Sequence, residues 1–343
     1  MFAHYIVLFF AQSTLGIASL MPERFELTKA LVMVKCRLCG AETGSSWFVK
    51  DAKSVESLEM FMCGSCALVQ QVNLPTDEEL RIYYSHNYRE DYKSTHKPKP
   101  KYVYRAGRAA LDRLGRMHKA CVPRGETLLD IGAGGGEFVY MAQQAGFVSQ
   151  GVEPHQGYSE FARDEYGVKI DTCQISDIEH RGFGVVTMFH VLEHLAHPEQ
   201  VMAKAHGLLK EGGHFVLEVP NITQNDASPH NIYFKAHLFY YSRPSLIAAA
   251  SAYFEPIYVE DTGNLFIVFK RKSNPLPSVL LPSAADVKHV AKRLEEKGWG
   301  EYLFEGGGLT KIFTRIPKSL REGKVKQMEP KAILDQLHEQ PDV

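Results

Sequence analysis

The chain reads as an α/β protein: an open, mainly parallel sheet with helices on both faces, preceded by a small module folded around a metal. Three observations predict this. A buried apolar strand at Thr127–Ile131 runs into Gly132-Ala133-Gly134-Gly135-Gly136 and then into a helix start. From there to Arg271, apolar strand-length runs alternate with helix-length runs, the pattern of a parallel sheet with crossover helices. Upstream, four of the six cysteines form two Cys-x-x-Cys pairs, Cys36/Cys39 and Cys63/Cys66, with 23 residues between the pairs.

The cysteine pairs sit in glycine-containing knuckles, Cys39-Gly40 and Cys63-Gly64-Ser65-Cys66. Such turns aim backbone N–H groups at sulfur, and four thiolates suit tetrahedral Zn²⁺. A closed four-thiolate shell leaves no open coordination position, so the metal is expected to be structural and to fold residues 34–75, which lack a core of their own. The long spacer is tolerable because loop-closure cost rises slowly with length. Two redox pairs or disulfides are the alternative, and a reducing compartment disfavours them. Cys121 and Cys173 are expected to be ordinary buried thiols.

Residues 76–124 form a helical, basic linker. Thr76 with Glu79 three residues on is a capping signature. A tyrosine-rich stretch, Tyr83 to Tyr88, follows, then Lys97-Pro98-Lys99-Pro100 and a helix over 103–118. Lys93 to Arg124 carries ten Lys/Arg and one acid, Asp112. That surface could meet a phosphate-bearing substrate or RNA, or be a solvated helix face whose arginine stems cover apolar surface. The formal net charge of -1 over 343 residues gives no global pull toward nucleic acid or membrane. Residues 1–33 are apolar, with no charge from Tyr5 to Met21. They lack a positive n-region, and the uncharged run from Tyr5 to Met21 is short of the about 20 residues needed to span a bilayer. They are read as an extension outside the functional domain, with a membrane anchor as the alternative.

Residues 125–272 carry the sheet. Strands are expected at 127–131, 149–153, 168–170 and 183–189. A helix, a turn at Gly212-Gly213 and a fifth strand ending at Val219 come next. Helix 243–253 leads to a closing antiparallel pair at 254–260 and 265–271. Residues 273–343 show one helix, 284–297, and a charged tail.

The glycine turn identifies the kind of ligand. Counting from Gly132, the last glycine of a dinucleotide fingerprint would fall on Glu137, and a carboxylate there would repel a pyrophosphate. The observed Asp130-x-Gly132-x-Gly134-x-Gly136 spacing instead resembles motif I of class I S-adenosylmethionine-dependent methyltransferases. The resemblance implies a Rossmann-like sheet of seven strands, with the turn against the methionine part of the ligand. Glu153 lies 23 positions after Asp130, near the roughly 20 at which an acid meets ribose hydroxyls. In the family, the region of Asp177 and Ile178 contacts adenine. His190-Val191-Leu192-Glu193-His194 resembles the motif after the fourth strand, which lies along the ligand, so His190 joins the cofactor residues. Phe189-His190-Val191-Leu192 is unlike the Asn/Asp-Pro-Pro-Tyr motif of base and amide N-methyltransferases.

The knuckles, the Cys66-Ala67-Leu68-Val69-Gln70 run and the following core together resemble bacterial methyltransferases with an amino-terminal zinc-binding domain, including deoxysugar C-methyltransferases. This implies a sugar or nucleotide-sugar acceptor, a cytoplasmic enzyme, and no stable nucleic-acid or membrane partner. The Leu-Gly/Pro-Leu-Ala-Asn element of the sugar enzymes is missing between the knuckles. His237 matches their active-site histidine, but its preceding glutamate is Ala236 here. His237 is therefore the first candidate base, with a packing or capping histidine as the alternative. His230 and Tyr233 come second, and Tyr84 and Tyr88 are placed to close over the substrate. Docking on RNA or protein, and cofactor binding without catalysis, are the competing functions.

Overall fold

A computed structural model describes residues 34–82 and 98–340; the apolar stretch 1–33 and the candidate lid residues Tyr84 and Tyr88 lie outside the described residues. In chain order the elements are β1 (Gly44–Lys50), β2 (Ser57–Cys63), β3 (Val69–Gln71), α1 (Asp77–Ile82) and α2 (Pro100–Lys119). Next come β4 (Thr127–Ile131), α3 (Glu137–Gln144), β5 (Val148–Val152), α4 (Gln156–Tyr166), β6 (Ile170–Asp171) and β7 (Phe183–Phe189). They are followed by α5 (Pro198–Leu208), β8 (Leu209–Val219), β9 (Phe239–Tyr240), α6 (Arg243–Ala250), β10 (Phe254–Glu260) and β11 (Leu265–Arg271). Four helices end the described chain: α7 (Ala284–Glu296), α8 (Trp299–Phe304), α9 (Lys311–Lys324) and α10 (Pro330–Glu339).

The main sheet has seven strands in the order β10-β11-β8-β7-β4-β5-β6. β11 runs antiparallel to both neighbours, and the other pairings are parallel. β7 is buried at all seven positions, as a central strand covered by helices on both faces must be. The chain places β5 on one side of β4 and β7 on the other, so the carboxyl end of β4 is the switch point where such sheets bind ligands.

A second, antiparallel sheet has the order β1-β2-β3-β9. Its fourth strand comes from the segment between β8 and α6 of the other domain. Cys36, Cys63 and Leu68 accordingly share one apolar core with Met188, Leu217 and Tyr241.

Several local expectations shift. The turn at Gly212-Gly213 is absorbed within β8, where the pairing jumps from Phe183↔Leu209 to Val185↔His214. α6 stops at Ala250, where the Ser251 hydroxyl donates to the Ala248 carbonyl (2.7 Å) and draws the chain out of the helix. Cys121 is exposed, contrary to expectation, because it follows α2 in a turn with φ +58°. The charged tail is helical: Ile333, Leu334 and Leu337 of α10 enter the core beside Val103 of α2. α10 approaches closely because residue 107 is glycine; a Cβ there would lie 2.7 Å from both Leu334 Cδ2 and Leu337 Cδ1.

Candidate active site

The glycine turn is lashed to β5: the N–H groups of Gly132 and Ala133 both donate to the Val152 carbonyl (2.9 and 3.0 Å). Gly132, Gly134 and Gly136 all have positive φ (77°, 55° and 84°), where a side chain is strained. At Gly132 a Cβ would also stand 2.4 Å from Val191 Cγ2. Asp130 lies beneath the turn, 3% exposed, and accepts from the Thr187 hydroxyl (2.6 Å). Burial pushes its carboxyl up to about 7, against the pull of Thr187 and Arg113.

Glu153 is buried just past β5. One carboxylate oxygen accepts from Gly134 N (2.8 Å) and the other from His155 N (3.1 Å). The acid is thus aimed by two backbone donors, one of them in the glycine turn. Asp177 closes the turn at Ile175–Asp177, accepting from Gln174 N (3.3 Å) and the Ser176 hydroxyl (2.8 Å). Ile178 beside it is buried, and the Lys204 ammonium donates to the carbonyls of Ser176 (2.9 Å) and Ile178 (2.8 Å). The glycine turn, Glu153 and the loop after β7 meet at the sheet's switch point.

His190 leaves β7 with φ +56°, a conformation that costs a non-glycine residue energy and is found at functional sites. Its ring nitrogens lie 3.5 Å from Glu193 Oε1 and 3.7 Å from Glu218 Oε1. Burial pulls the imidazole toward its neutral form, but the two carboxylates together outweigh burial and raise it to about 9. Glu218 in turn pairs with Arg113 Nε at 2.5 Å and accepts from Asn264 Nδ2 at 2.9 Å. The Arg113 guanidinium stacks over Phe189, 4.2 Å from its ring centre. Sequence reasoning passed over Arg113, Glu218 and Asn264. The signal for Glu218 was present: a lone charge in the otherwise apolar run Phe215–Val219.

Beside them stand Glu193, His194 and His237. One oxygen of Glu193 and one ring nitrogen from each histidine lie within 4.8 Å of one another. Both Glu193 oxygens and His237 Nδ1 are buried without a hydrogen-bond partner among the described residues. His194 is fixed through Nδ1 to the Ala236 carbonyl (2.7 Å), and its ring meets His237 edge-on with centres 4.8 Å apart. Burial, and then the neighbouring His194, push His237 down to about 4. The other two acid–base candidates are not brought to this group. His230 is exposed against Trp299 of α8, and Tyr233 packs in the module's core against Tyr240.

Residues 102–253 match the family model described as a methyltransferase domain. The seven-stranded mixed sheet, five of whose strands lie in this stretch, is the α/β methyltransferase fold. A ubiquinone biosynthesis O-methyltransferase of Vibrio atlanticus is 31% identical over 105 residues, 28% of this chain and 44% of that protein. Its counterpart in Pseudomonas paraeruginosa is 33% identical over 105 residues, 28% of this chain and 45% of that protein. The chain therefore spans less than half the length of the curated relatives it matches. Among solved structures, an S-adenosylmethionine dependent methyltransferase from Mesorhizobium loti aligns with TM-score 0.38 and 14% identity, over 45% of this chain and 95% of that one.

The cysteines lie beside the matched stretch and share its core. Cys36 and Cys66 sulfurs are 3.5 Å apart, as are those of Cys39 and Cys63, and all four fall within 4.8 Å of one another. Tetrahedral bonds of about 2.3 Å put sulfurs about 3.8 Å apart, so the donor set is compatible with zinc. The knuckles form as the glycines suggest: Gly40, at φ +73°, donates to Cys36 O (2.9 Å), and Ser65 N points at Cys63 Sγ (3.4 Å).

Proposed function

We propose that this chain transfers a methyl group from S-adenosylmethionine to an oxygen or carbon-acid position of a small acceptor of the sugar or nucleotide-sugar class. The observation that carries the reading is the glycine turn and Glu153, joined by a hydrogen bond at the switch point of a matched methyltransferase domain. Glu153 would hold the ribose hydroxyls, Ile178 and Asp177 the adenine edge, and His190 would line the methionine side. Bound S-adenosylmethionine supplies an electrophilic methyl on a sulfonium that becomes neutral as the methyl leaves. What the residues must add is alignment of the acceptor with that methyl, and a base where the acceptor is a hydroxyl or carbon acid. His237 is the residue proposed for that role: burial and the neighbouring His194 keep it neutral at physiological pH.

Two further points support a small acceptor. A cleft of about 410 Å³, lined by Ile175, Ser176, His194, His197 and Lys204 and bordered by Leu80, reaches His194, whose ring meets His237, a size suited to a small molecule. The O-methyltransferase names of the relatives favour oxygen as the receiving atom. The reading as an RNA-docking enzyme loses support because the basic helix α2 pairs three of its four arginines within the chain: Arg105 with Glu322, Arg113 with Glu218, and Arg116 with Asp112. The four-cysteine set is proposed to hold structural zinc.

Calorimetry with S-adenosylmethionine, followed by labelled cofactor against nucleotide sugars, polysaccharide fragments and total RNA, tests the reading. Label in a nucleotide sugar is the expected result. Label in RNA alone would reverse the choice of acceptor, and absence of cofactor binding would remove the reading altogether.

A further inference from the structure

The segment that carries His237 is held from two sides. On the side of the methyltransferase domain, His194 Nδ1 meets Ala236 O (2.7 Å) and Leu238 N donates to Glu193 O (2.8 Å). On the other side the partner is the cysteine module. Gln71, buried on β3, donates through Nε2 to Lys235 O (2.9 Å) and His237 O (2.8 Å), and through its backbone N–H to Leu238 O (3.0 Å). Asp51, buried after β1, accepts from Lys235 N at 2.6 Å, while Ala52 N donates to Tyr233 O (2.8 Å). Pairing of β3 with β9 (Val69↔Tyr240, Gln70↔Phe239) completes the grip. The Tyr240 hydroxyl closes the loop on itself through Phe234 N (2.7 Å) and Phe234 O (2.9 Å).

These contacts lead back to the thiolates. β2 ends at Cys63, and β3 begins three residues after Cys66. Whatever closes the four sulfurs therefore fixes where Gln71 stands, and Gln71 fixes the backbone on both sides of the His237 ring. We infer that Gln71 and Asp51 are positioning residues for acceptor chemistry, and that metal occupancy of the cysteine module sets the register of the His237 loop without touching the cofactor cradle. The inference rests on the proposed methyl transfer. It goes beyond it by assigning the module a part in catalysis rather than in folding alone. Two features favour this over a plain structural role. The side chain of Gln71 spends its donors on the two carbonyls that flank Ala236, not within its own sheet. And Glu153 with its glycine turn shares no hydrogen bond with the module among the described residues.

The test uses the full metal-loaded chain. Gln71→Met keeps the side chain's length and removes both donors; Asp51→Ala removes the second anchor independently. Hydrogen–deuterium exchange over 234–241, zinc content, and kcat and KM with labelled S-adenosylmethionine and the nucleotide-sugar mixture are measured. Each variant is expected to keep its zinc and its cofactor KM. Exchange at His237 and Leu238 should quicken at least tenfold and kcat should fall at least tenfold. Stripping zinc from the unaltered chain with a chelator should quicken the same amides and leave cofactor affinity intact. Unchanged exchange in both variants, or faster exchange with unchanged kcat, would overturn the inference. So would metal removal that leaves 234–241 protected. If the unaltered chain transfers no methyl at all, the functional reading fails, whereas the exchange measurements still decide whether the clamp exists.

Discussion

Asp130 is a carboxyl group that the folded chain keeps out of water. Its folded pKa, about 7, lies above its ordinary 3.8. The folded state therefore holds a proton that the unfolded chain has released, and stability falls as pH rises from about 4 to about 7. At about 1.4 kcal/mol per unit the cost approaches roughly 4 kcal/mol above neutrality. Asp130→Asn keeps the acceptor for Thr187 and removes the titration. It should melt close to the unaltered protein at pH 4 and several degrees higher at pH 8, by scanning calorimetry. Equal melting temperatures at both pH values would mean the carboxyl is neutralised by something other than its proton. His237→Ala belongs to the same scale. Loss of a positioned base costs about 10²–10⁴-fold in rate, so turnover should drop by that order while calorimetric affinity for S-adenosylmethionine stays unchanged; undiminished turnover would leave His237 as packing.

Among the elements, those with strong periodicity were legible. The apolar runs at 127–131, 183–189 and 265–271 could bury themselves only as strands, and Asp130-x-Gly132-x-Gly134-x-Gly136 located the switch point. The contacts that complete the site were not legible, because they join distant residues: Arg113 to Glu218, and Gln71 to the carbonyl of His237. No local pattern marks such a pair. β9 was missed for a related reason. Two residues of strand have no periodicity, and Phe239-Tyr240 extends only because β3 offers it an edge. α10 was hidden by brevity, with three core positions in ten residues. Its docking gives a prediction. Gly107→Val would drive side-chain atoms into Leu334 and Leu337, an overpacking worth about 1–3 kcal/mol. Limited proteolysis should then release a fragment containing α10 that the unaltered protein retains; equal resistance would show that α10 is held elsewhere, for instance through Lys331 and Asp335 at Tyr140.

At the scale of the whole molecule, two folding units share a core and a sheet, so damage to one should be read in the other. Cys36→Ser removes one of four thiolates. Zinc content should fall well below one ion per chain, and because Cys36 also sits in the core beneath β8, melting temperature should drop with it. Retention of a full ion would sink the assignment of all four cysteines as ligands.

The fourth strand of the small sheet also bears on synthesis. Gln71 leaves the ribosome long before Phe239, which is to lie beside Gln70. At about 5–20 residues per second the interval is on the order of 10–30 s. Through that time β3 presents an unpaired edge, the kind of surface on which nascent chains pair wrongly, and closure of so distant a contact is slow. Early capture of zinc by the four thiolates would hold that edge in one defined shape until its partner arrives. Metal supply during growth should then govern how much of this protein accumulates folded, over and above what it contributes to the finished molecule.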